Sequence, residues 1–82
     1  MAVPERDLCQ SAQDDLARAE RRRAATDRKL IEARSELTQL KAAGAKPAKI
    51  AAQTREVERL EASVERLKAE VSSLEDKVNE VC

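Results

Sequence analysis

Gly44 is the only glycine in this chain of 82 residues, and Pro47 follows it three positions later, close to the midpoint. The stretch KAAGAKPAK, Lys41 to Lys49, therefore decides whether the chain is one kinked helix or two helices folded back on each other. Glycine suits the position just past a helix C-terminus, where a left-handed backbone is needed and a Cβ is penalised. Proline suits the first turn of a new helix, where its missing N–H is not needed, and it disfavours helical geometry at the preceding Lys46. The segment reads as a stop followed by a start. Pro4, with Glu5 and Asp7 behind it, reads as the corresponding start of the first helix.

The residues on either side carry the pattern of a coiled coil. Val57, Leu60, Val64, Leu67, Val71, Leu74, Val78 and Val81 recur at alternating spacings of three and four, and Ile50 extends the series toward the turn. This is a heptad repeat with valine at a and mostly leucine at d. The first half carries a weaker version, with Cys9, Leu16, Arg23, Leu30 and Leu37 at a and Ala12, Ala19, Thr26, Ala33 and Leu40 at d.

Folding the halves back on each other brings a residues opposite d residues. Leu16 then meets Leu74, Ala19 meets Val71, Leu30 meets Leu60, Ala33 meets Val57, and Leu40 meets Ile50. Every pair is symmetric about Ala45, so the heptad phases centre the turn where its chemistry places it. Large and slim layers alternate, as good packing requires. Flanking charges give Asp15–Lys77, Arg22–Glu70 and Glu20–Lys68 as attractive neighbours, against repulsion at Glu36–Glu56 and Asp27–Glu61. A parallel dimer would stack Arg23 on Arg23 in the seam and gain no attractive pair along the second helix. Valine at a with leucine at d is nevertheless a composition of parallel dimers, so the parallel long-helix oligomer stays open at this point. The expected fold is all-α: an antiparallel two-helix coiled-coil hairpin, with helices over about 4–43 and 48–82 and a turn at 44–47. It forms a single unit, and it is able to pair into a four-helix assembly. The heptads run in phase to the last residue, as a piece of a longer coiled coil would. LEDKV, Leu74 to Val78, resembles a short piece of a leucine zipper, and the hairpin resembles in outline the arms of some aminoacyl-tRNA synthetases, but no motif defines a family.

Composition then removes several function classes. Lysine plus arginine and aspartate plus glutamate are 16 each, so net charge points to neither nucleic acid nor membrane. No apolar run approaches the roughly 20 residues of a membrane span, and MAVPERDL has neither the basic nor the apolar region of a signal peptide. With no histidine, no Cys-x-x-Cys and no glycine-rich loop, zinc sites and phosphate cradles are not expected. Glu58, Glu61 and Glu65 lie about a turn apart but lack the histidine partners of a di-metal site; they read as a solvated face. Neither a cofactor nor catalysis is expected.

The hairpin register sets Cys9 opposite Val81, beside Cys82. A disulfide there would close almost the whole chain, which the chain-entropy model values at roughly 4 kcal/mol. Free thiols would suit the cytoplasm; a bridge would suit an oxidising place such as a periplasm, secreted fluid or virion.

One charge feature has shape. RAERRRAATDRK, residues 18–29, holds six basic and two acidic residues, and Lys41, Lys46 and Lys49 surround the turn, whereas the terminal end is acidic. Arg18, Arg21, Arg22, Arg28 and Lys29, with the heptad-spaced stripe Ala17, Ala24 and Ile31, form the candidate partner surface. With no aromatic residue to stack bases, nucleic acid is disfavoured. The expected function is a non-catalytic structural, assembly or protein-docking module with a protein partner and a tendency to form homo-oligomers. The alternative is a small regulatory or inhibitory binder using the basic surface of the first helix.

Overall fold

Among the described residues there are two helices: α1, Glu5–Ala42, and α2, Pro47–Val81. The computed structural model describes residues 5–82, with side chains from Asp7 onward; the start expected at Pro4 lies outside the described residues. The helices pack antiparallel as a rod with extents of 65 × 18 × 14 Å. The expected helical hairpin is therefore the fold, with Pro47 inside α2 as its first residue rather than in the turn.

The turn is closed by backbone geometry. Gly44 adopts φ +68, the left-handed conformation that favours glycine. Its N–H donates to the Lys41 carbonyl at 3.2 Å, and the Ala45 N–H reaches back to Leu40 at 3.0 Å. These two bonds are the Schellman arrangement that satisfies the last carbonyls of a helix. Lys46 then takes an extended conformation (φ −57, ψ 142), as a residue before proline must, and Pro47 enters α2 in its first turn. Lys46 supplies no side-chain cap; its carbonyl accepts from Ile50 at 3.1 Å.

The seam is narrow and uneven along its length. Near the tip, Leu30, Ala33, Val57, Leu60 and Val64 form a buried cluster with Leu37 packed against it, while Leu40 and Ile50 are half-buried beside the turn. Toward the open end, Ala12, Ala19 and Val71 are buried, and Leu16, Leu67, Leu74, Val78 and Val81 are half-buried. Arg23 and Thr26 interrupt the seam between these zones, both half-buried. The Thr26 hydroxyl is satisfied by donating to the Arg22 carbonyl at 2.9 Å. Alanine at d on α1 lets the backbones approach closely: Ala19 is fully covered although a two-helix seam has no second layer.

Cross-helix polar contacts fix the register. Arg22 donates to Glu70 at 2.7 Å, as expected. Gln53, at a d position, donates across the seam to the Ala33 carbonyl at 3.0 Å. Asp27 and Glu61 do not oppose each other unrelieved: Arg34 reaches Glu61 at 3.4 Å, and Asp27 lies 3.9 Å from Arg23. Glu56 likewise pairs with Arg59 on its own helix. Asp15 pairs with Arg18 and Lys68 with Glu65, each within one helix rather than across the seam.

Candidate functional site

An α-helix advances 3.6 residues per turn, so Arg18, Arg21, Arg22, Ala25, Arg28 and Lys29 fall on one face of α1; Arg22 and Lys29 flank the seam, and the other four turn away from it. All six are exposed. Arg18, Arg21, Arg22 and Ala25 line a shallow depression. Arg18 is paired with Asp15 and Arg22 with Glu70, whereas Arg21, Arg28 and Lys29 make no ion pair among the described residues. The two acidic residues of this stretch, Glu20 and Asp27, lie on the opposite flank of α1, where Asp27 shares a depression with Glu61 of α2. The face is therefore a run of five cations with no acid of α1 between them, about 17 Å long at 1.5 Å per residue; Glu70 of α2 meets it at Arg22, and Lys29 shares a depression with Glu32, Glu36 and Glu56.

Acidic residues bound this face at both ends. Asp14 and Asp15 precede Arg18 by a turn, and Glu32 and Glu36 follow Lys29 on the same side. The stripe Ala17, Ala24 and Ile31 runs along one edge. Ala17 is half-buried, Ala24 is exposed, and Ile31 is 65 % exposed, the most open large apolar side chain described. The structure thus places the basic residues together and Ile31 at their margin.

The two ends of the rod differ in character. At the open end, the Sγ atoms of Cys9 and Cys82 lie 2.07 Å apart, a disulfide, with Cα atoms separated by 4.9 Å. Cys82 caps α2, its N–H donating to the Val78 carbonyl at 2.9 Å. The segments leading to it, residues 7–15 and 70–82, hold Asp7, Asp14, Asp15, Glu70, Glu75, Asp76 and Glu80, with Lys77 their single cation. At the tip, residues 37–55 contain Lys41, Lys46, Lys49 and Arg55 and no acid.

The contacts that sequence reasoning missed are Gln53 to Ala33 and Arg34 to Glu61. Heptad phase does place Gln53 at d, a polar residue where an apolar one is expected, and that is the available signal. Among the described residues, no group of three or more histidine, cysteine, aspartate or glutamate side chains is arranged to hold a metal ion. No helix described is long and apolar enough to cross a membrane. Compared with known proteins, the chain matches no family model, no curated protein and no solved structure.

Proposed function

We propose that this chain is a non-catalytic rod that spaces or docks protein partners, acting by its length and its exterior. The observation that carries this reading is the fastening of both ends. The Gly44–Pro47 turn closes one and the Cys9–Cys82 bridge the other, leaving an arm 65 Å long whose large apolar side chains are mostly spent in its own seam. A helix pair fixed in this way presents surface side chains at set heights, as a docking arm requires. The bridge favours an oxidising compartment as the place of work.

Purification from the native source without reductant, followed by light scattering and cross-linking mass spectrometry, tests the reading. It predicts a complex of defined stoichiometry with cross-links on the rod exterior. Leu30→Asp or Leu67→Asp abolishes that complex together with the helical signal. A chain that stays monomeric and partner-free, or whose complex survives loss of the seam, contradicts the reading.

A further inference from the structure

We infer that the basic face of α1 is a binding surface for one short acidic helix of a protein partner, resting on the docking-arm reading above. The argument begins with size. The run of cations from Arg18 to Lys29 along this face is about 17 Å long, three turns of helix. Asp14 and Asp15 bar it on one side, Glu32 and Glu36 on the other. A long polyanion laid along the rod, such as a nucleic-acid duplex or an anionic lipid surface, would run onto these carboxylates within a turn of leaving the cations. A helix of three turns does not reach them.

Spacing and shape make the same selection. The cations stand at levels 18, 21–22 and 28–29, separated by one turn and then two, which is the rise between carboxylates at i, i+3 and i+10 on a helix running alongside. Between the second and third levels stands Ala25, which helps line the depression; its small side chain lets a second helix come close. Three of the five cations are free of ion pairs among the described residues, so a partner would gain contacts there without breaking existing ones. Ile31 at the margin supplies an apolar contact that a neighbouring side chain of the same partner would cover.

The test uses the intact oxidised protein and a helical probe peptide of about 14 residues, alanine-based, with glutamate on one face at i, i+3 and i+10. Its scramble of equal composition and a DNA duplex of about 20 base pairs are the comparisons, read by fluorescence anisotropy at low and moderate salt. The patterned peptide binds at least about tenfold more tightly than the scramble and weakens with salt. Arg21→Glu with Arg28→Glu removes that binding, whereas Arg59→Glu with Arg66→Glu on α2 leaves it. Neutralising the bars, Asp14→Asn, Asp15→Asn, Glu32→Gln and Glu36→Gln together, admits the duplex. Equal binding of peptide and scramble, preference of the unaltered chain for the duplex, or indifference to the Arg21 and Arg28 changes would each overturn the inference. Non-reducing mass and helical content, measured on every variant, separate loss of the face from loss of the fold. Because no assembly is read out, failure here leaves the rod reading to its own experiment.

Discussion

Gly44 holds φ +68 with open space around the position a Cβ would occupy. Gly44→Ala therefore meets no neighbour, and its effect is conformational: about 1–2 kcal/mol of lost stability for a left-handed alanine, read as a lower urea midpoint. An unchanged midpoint would mean that the turn does not use this conformation. Glu56 offers a second residue-level check. The hydrogen bond from Arg59, which donates to it through Nε at 3.0 Å, holds its carboxyl below the ordinary value of 4.5. A lowered folded pKa means the contact's contribution is present above the unfolded value and is lost as pH falls through the folded one. Carboxyl NMR should give Glu56 a midpoint below 4.5, and Arg59→Gln should raise it; a midpoint at or above 4.5 in the unaltered chain would contradict the pairing.

Along each helix, the seam divides into two zones of unequal strength. Leucine and valine fill the cluster near the tip, whereas the open end relies on Ala12, Ala19 and half-buried neighbours beyond the polar layer of Arg23 and Thr26. Reduction of the disulfide should therefore release the ends selectively. Amide exchange in residues 9–20 and 70–81 should quicken by about tenfold or more, while 30–37 and 57–64 keep their protection. Uniform acceleration would show that the seam behaves as one unit. Leu30→Ala strikes the stronger zone and should cost about 2–4 kcal/mol, measured by denaturant unfolding under non-reducing conditions. These elements were readable before the structure because the heptads, the glycine and the proline are local signals that agree on one centre of symmetry. Arg34 and Gln53 were not, because a long side chain chooses among several carboxylates or carbonyls at similar distance. That choice depends on rotamers, to which heptad phase is blind.

As a whole molecule, the chain is a rod locked at its open end by a bridge between residues 73 apart in sequence. Closing a loop of that length is worth roughly 4 kcal/mol in the chain-entropy model, a large share of what a single narrow seam supplies. The acidic base, the basic middle and the basic tip give the rod a polarity that a partner can read. All of this depends on α1 and α2 lying side by side within one chain. Spin labels carried on a keto amino acid at positions 14 and 76, which leaves the native cysteines untouched, measure that directly when diluted into excess unlabelled protein. With helix axes about 10 Å apart, the labels should lie roughly 15–25 Å from each other, arms included. A separation near 90 Å, as about 1.5 Å per residue along one continuous helix would give, would contradict the hairpin and everything built on it.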